Sequence, residues 1–191
     1  SALNSNQIKG MKLFYGKANC SSCHSGSLLS DQKFHSIGIP QFGPGRTRPF
    51  DPYARDVGRM VETDDLNDMY KFKTPALRNV SLTAPYGHNG AYPTLKGIIK
   101  HHLNPTEMNK NWKPEYANLP KAPWLEQIDF VTFSDKREQD RIISSIDIKP
   151  IDLNDKEIDQ LVSFLESLTG MSGNKRPLGK PKKVPSGLTI D

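Results

Sequence analysis

The residues with the most specific chemistry are Cys20-Ser21-Ser22-Cys23-His24. Two thiols separated by two residues match the spacing at which both sulfurs add to the vinyl groups of a haem, while the adjoining imidazole turns onto the iron. Three other chemistries use similar residues. A thioredoxin-like dithiol needs a βαβ surround, and the segment upstream of Cys20 reads as helix. A zinc site needs two further cysteines or a spaced histidine pair, but these are the only cysteines and His101-His102 are adjacent. A structural disulfide between neighbours this close would staple almost nothing. Covalent haem c attachment, one per chain, is therefore the expectation, with His24 as proximal ligand.

A haem iron then needs either a sixth ligand or an open position, the choice that separates electron transfer from catalysis. The candidates besides His24 are His35, His88, His101, His102, Met60, Met69 and Met108. His102 follows Leu95, Ile98 and Ile99 by seven, four and three residues, so helical phase puts it on their apolar stripe. His101, turned about 100° away, is expected to lean toward solvent. His102 is favoured as ligand, with Met60, Met108 or an open position as the alternatives.

These residues need elements to position them. A first helix is predicted from Ser5 to Gly16, capped by Asn4 or Ser5, with Ile8, Met11, Phe14 and Tyr15 on one face. A second runs from Thr94, its cap, to about Leu103, where Pro105 stops it. The stretch from Gly38 to Pro52 reads as a structured loop. Residues 104–150 read as a loop-rich insertion with a short helix around Lys136–Ser145. The last strong element spans Asn154 to Leu168; Asn154 and Glu157 look like a capping box, and Ile158, Leu161, Val162, Leu165 and Leu168 form its stripe. No strand pattern stands out. The fold class is mostly α: a cytochrome c-like haem domain over 1–170 with long loops, and an extended tail over 171–191.

Composition removes several function classes. The longest apolar runs are a few residues, far short of the ~18 that span a bilayer, so no membrane span is expected. The net charge of +5 on 191 residues suggests nucleic acid only until it is located. The Pro/Gly/Lys tail holds Lys175, Arg176, Lys180, Lys182 and Lys183 against Asp191, leaving the rest nearly neutral and without a basic face. An apolar share of 35% is modest, which suits a core partly supplied by a porphyrin. The chain opens at Ser1 without a charged-then-apolar leader, as a mature or trimmed product would.

The run from Phe72 to Gly90, Phe-Lys-Thr-Pro-Ala-Leu-Arg-Asn-Val-Ser-Leu-Thr-Ala-Pro-Tyr-Gly-His-Asn-Gly, is the most distinctive stretch outside the cysteines. With the cysteine motif, Phe34-His35-Ser36-Ile37-Gly38, Asp56-Val57-Gly58-Arg59 and the helix from Thr94, it resembles the C-terminal haem domain of the bacterial di-haem cytochrome c peroxidase and MauG-like family. The resemblance runs from about residue 8 to 105 and more loosely through the last helix. It implies a longer enzyme in which an N-terminal haem domain, absent here, reduces hydrogen peroxide. The C-terminal domain would relay electrons from a small c-type cytochrome or copper protein, in the periplasm. It also implies a calcium ion between the domains, bound here by the backbone carbonyls of Thr83 and Pro85. His102 falls where the peroxidases place a Met and MauG-like members a Tyr, so this chain departs from both.

Around the haem, Arg78 and Arg59 are candidates to pair bidentately with propionates. His88, before Asn89-Gly90, is expected in a turn near the haem edge, hydrogen-bonded rather than metal-bound. Trp112 and Trp124 suit packing or surface anchoring better than electron hopping. Gln41, Glu62, Glu107 and His88 are polar groups that the sequence cannot assign as distal acid or base. The expected function is electron transfer within a di-haem peroxidase. The alternatives are a stand-alone mono-haem carrier and a MauG-like domain oxidising a partner protein.

Overall fold

A computed structural model describes residues 2–43, 55–117, 119, 123–124 and 126–170. The predicted tail, and residues 44–52 of the predicted loop, lie outside them. The fold is mostly helical. Helix α1 (Ser5–Tyr15) begins at Asn4, whose side chain accepts from Gln7 N–H while Gln7 reaches back to Asn4 N–H, at 3.0 and 2.8 Å. Helix α7 (Asp155–Ser167) starts on the same device, Asn154 paired with Glu157 at 3.0 and 2.9 Å. Each box satisfies two N–H groups that a helix start otherwise leaves without partners.

The two helices pack against each other at a point set by Gly10. A Cβ there would lie 1.9 Å from the Gln160 carbonyl oxygen, so glycine alone permits the approach. Phe14 and Phe164 meet edge-on at 5.2 Å beside it, and Lys17 pairs with Glu157 at 2.9 Å. Phe14, Ile158, Leu161, Phe164 and Leu165 are all buried in this seam.

Helix α2 (Met60–Thr63) comes next among the named helices, and a two-residue antiparallel pair joins β1 (Phe34–His35) to β2 (Phe72–Lys73). Sequence periodicity cannot register strands that short. Helix α3 (Leu95–Leu103) starts at Thr94 as predicted, its hydroxyl accepting from Gly97 N–H at 3.1 Å. Pro105 ends that helix but also opens another. Asn104 caps α4 (Pro105–Lys110) with proline at its first position, where the missing N–H has no partner to lose. The same proline is a stop for one helix and a start for the next, which corrects a purely loop-like reading of this stretch.

Helices α5 (Val131–Ser134) and α6 (Lys136–Ser144) complete the insertion. It is held by aromatic packing. Trp112 stacks on Phe42 at 5.1 Å, meets Phe133 edge-on at 5.0 Å and donates from its indole N–H to the Ala91 carbonyl at 2.9 Å. Trp112 is thus a packing residue, whereas Trp124 is 79% exposed. A second tie is polar. Buried Glu138 accepts from the Tyr70 hydroxyl at 2.6 Å and pairs with Arg55 and Arg141 at 3.3 and 3.2 Å. Among the described residues, no helix is long and apolar enough to cross a membrane.

Candidate functional site

One turn presents both thiols and the first imidazole. Asn19 takes a left-handed conformation (φ 50°) and hands the chain from α1 into a 3-10 turn over Cys20–Ser22. The N–H groups of Cys23 and His24 then both donate to the Cys20 carbonyl, at 3.3 and 2.9 Å. The cysteines are free of each other. Cys20 Sγ–H donates to the Ala18 carbonyl at 3.5 Å, and the Ser22 hydroxyl donates to Cys23 Sγ at 3.8 Å. Burial pushes the Cys20 thiol up to about 11 and raises Cys23 as well, so both are protonated at neutral pH. A redox dithiol needs the opposite, a lowered thiolate pKa. The pair is suited instead to remaining as thiols until a partner reacts with them.

His24 and His102 are built alike. The Leu29 carbonyl only accepts, so His24 Nδ1 carries the proton and donates to it at 3.0 Å. His102 Nδ1 donates in the same way to the Ile98 carbonyl, one turn back, at 2.8 Å. The Pro75 carbonyl also lies near enough to His24 to raise its pKa, a second backbone oxygen that His102 lacks. Each Nδ1 is thus engaged, and no hydrogen bond to either Nε2 is seen among the described residues. That is the arrangement in which imidazole ligates a metal. Burial is the main cause lowering both pKa values. The two histidines are near enough for His24 to depress His102 further. Both are neutral at pH 7, and both keep some accessible surface although protein surrounds them. The donor set, two thiols and two Nε2 lone pairs, fits a haem.

Helix α3 buries more than its stripe. His101, expected to lean outward, is fully buried and uses both ring nitrogens: Nε2 donates to the Ile37 carbonyl at 2.6 Å, and Nδ1 accepts from the Tyr92 hydroxyl at 2.8 Å. Burial pushes its pKa down to about 3. Ile98, Ile99 and His102 are only partly covered. Leu95 of the stripe is itself buried in the core and Ile98 and Ile99 pack against it, so α3 buries His101 in addition to that row. Periodicity registers the stripe but not what covers it.

The other candidate ligands are engaged elsewhere. His35 Nε2 bonds Asp31 at 2.9 Å, with Asp147 3.8 Å from its Nδ1. Met60 is buried in α2, and Met108 packs on the core. His88 does sit in a turn, between Gly87 and Gly90 at positive φ, but makes no hydrogen bond among the described residues. It stacks on Phe72 at 3.6 Å, and the protein around it pushes its pKa down to about 4 while Asp56 pulls upward. Gln41 is consumed structurally, its side chain bonded at both ends to the Asp56 backbone.

Arg59 lies 4.4 Å over the Phe34 ring and pairs with Asp68 at 3.1 Å; Arg78 is exposed. Thr83 and Pro85 are exposed, and their carbonyls accept no hydrogen bond among the described residues. They offer two oxygens of the six to eight that calcium takes. One grouping escaped the sequence reading. Ligand atoms of Cys23, Asp31 and His35 lie within 4.8 Å of one another, a metal-type cluster that competes with thioether attachment for Cys23. Glu138 was also missed, since a lone glutamate in a polar helix gives no sign of burial.

No family model matches the chain. Over 118 residues it is 36% identical to the cytochrome-c peroxidase IdrP1 of Pseudomonas sp. (strain SCT), a match covering 52% of this chain and 31% of that one. A solved MauG-like protein associated with microbial copper homeostasis superposes with TM-score 0.62 at 28% identity, covering 92% of this chain and 50% of that one. The diheme peroxidase BthA from Burkholderia thailandensis E264 shares the fold, with TM-score 0.61 at 21% identity, covering 88% and 43%. The chain spans about a third of the length of the curated relative it matches.

Proposed function

We propose that this chain, whose relatives are the di-haem cytochrome c peroxidases and MauG-like proteins, carries one haem c and is the electron-transfer part of a peroxide-reducing enzyme. The observation that carries the reading is the pair His24 and His102, each with Nδ1 held by a backbone carbonyl and no hydrogen bond to Nε2 among the described residues. Cys20 and Cys23 would hold the porphyrin through thioethers, and His24 and His102 the iron. Arg78 and Arg59 are the cations offered to its propionates. The bound haem supplies a one-electron couple, lower in potential with two imidazoles than with His and Met.

Were His24 and His102 both to hold the iron, the chain would leave peroxide no place to bind there. The residues therefore suit relay, taking single electrons from a small c-type cytochrome or copper protein and passing them to a separate peroxidatic haem domain. Thr83 and Pro85 would supply two calcium ligands, the remainder coming from that second domain. The setting is extracytoplasmic, where covalent haem attachment takes place.

A pyridine haemochrome count on the chain made in a host that matures c-type cytochromes is expected to give one haem per polypeptide, with a low-spin bis-imidazole spectrum. His102→Ala should convert that spectrum to high spin and open the iron to added ligands. A mass equal to the bare polypeptide, or brisk peroxide turnover by the unmodified chain, overturns the assignment.

A further inference from the structure

We propose that Tyr92 and His101 are positioning residues that set where His102 points. The inference rests on the reading of His102 as an iron ligand and names what holds it there. The roll of α3 determines the direction of every side chain on it, and adjacent residues project about 100° apart. His101 is a crossbar fixed at both ends. Its Nε2–H donates to the Ile37 carbonyl at 2.6 Å, which leaves Nδ1 bare to accept from the Tyr92 hydroxyl at 2.8 Å. Only one tautomer satisfies both bonds, so the ring has one orientation.

The anchors are themselves held. Tyr92 exchanges backbone bonds with Tyr86 at 2.7 and 3.0 Å, and the Trp112 indole holds the neighbouring Ala91 carbonyl. On the other side, the Ser36 carbonyl accepts from Asp147 N–H at 3.0 Å and the Gly38 carbonyl from the Asn109 side chain at 2.8 Å, bracketing Ile37. Gly97, one turn before His101, lets the Tyr92 ring lie close along the same face of α3; a Cβ there would sit 3.3 Å from its Cδ1. The helix is thus pinned in roll on its protein side. The perpendicular His102 ring, 6.4 Å away and at 89°, is directed off that face. An apolar residue at 101 would fill the space without fixing the roll.

The test uses the full chain with haem attached and asks how readily cyanide displaces His102 from ferric iron, alongside the low-spin spectrum and the urea midpoint. Tyr92→Phe and His101→Leu are each expected to raise cyanide affinity about tenfold, the scale of one buried polar contact left unsatisfied. His101→Gln, whose carboxamide carries both a donor and an acceptor, should return affinity to within about threefold of the parent. A fall in urea midpoint with cyanide affinity and spectrum unchanged would make His101 a core filler and overturn the proposal. Should His101→Leu fail to accumulate, Tyr92→Phe decides alone. A parent chain without the bis-imidazole spectrum refutes the functional reading itself, a result separable from unresponsive variants in a bis-imidazole parent.

Discussion

Two packings in this chain are tightened by opposite means. Where α1 meets α7, closeness comes from a side chain that is missing: Gly10 lets the Gln160 carbonyl approach to a distance no Cβ tolerates. Where α6 meets the segment before β2, closeness comes from a charge: Glu138 sits 3% exposed beneath two arginines and a tyrosine hydroxyl. Dispersion and shape need no partner of matching sign, so the first seam depends chiefly on volume, with the exposed Lys17–Glu157 pair at its edge. The second depends on every partner being present, because a buried carboxylate stripped of them has lost its water as well.

Gly10→Ala is expected to have the largest effect, destabilising the chain by about 3 kcal/mol or more as the helices are forced apart, read from urea unfolding. A loss under about 1 kcal/mol would show that the seam yields and that its geometry is not set by Gly10. Glu138→Ala should follow at about 2–3 kcal/mol, less than a fully buried pair because Arg141 is 55% exposed and keeps its water. Tyr70→Phe removes one hydrogen bond to the same carboxylate and should cost about 1 kcal/mol. The smallest effect returns to the first seam. The Lys17 ammonium, and then the Asn154 N–H, hold Glu157 below the usual carboxylate range. Its contribution is present above the unfolded-state pKa and is lost as pH falls through the lower folded one. Glu157→Gln should therefore flatten the acid side of the stability–pH profile slightly, and an unchanged slope would mean solvent screens this exposed pair entirely.

Local features were legible because their physics is local. The capping pairs Asn4–Gln7 and Asn154–Glu157, the Thr94 cap and the apolar rows of α1 and α7 need only residues three and four apart, and each helix lies where its row predicts. The cysteine turn belongs with them. Helix α4 was missed because Pro105 was weighed only as a terminator. The β1–β2 pair was missed because two residues carry no period. His101 is the instructive failure. Its helix lies where predicted and Leu95, Ile98 and Ile99 do pack on the core, but His101, expected to lean toward solvent, is buried as well.

What the sequence determined alone is therefore the chemistry on offer: two thiols and an imidazole on one turn, further imidazoles on a capped helix, and two capped helices to frame them. The tertiary structure decided which imidazole is free to use that chemistry. His101 and His102 are neighbours of the same residue type, and no local rule separates them. They differ because the Ile37 carbonyl and the Tyr92 hydroxyl, 64 and 9 residues away along the chain, claim both nitrogens of one ring and leave the other with Nε2 unclaimed.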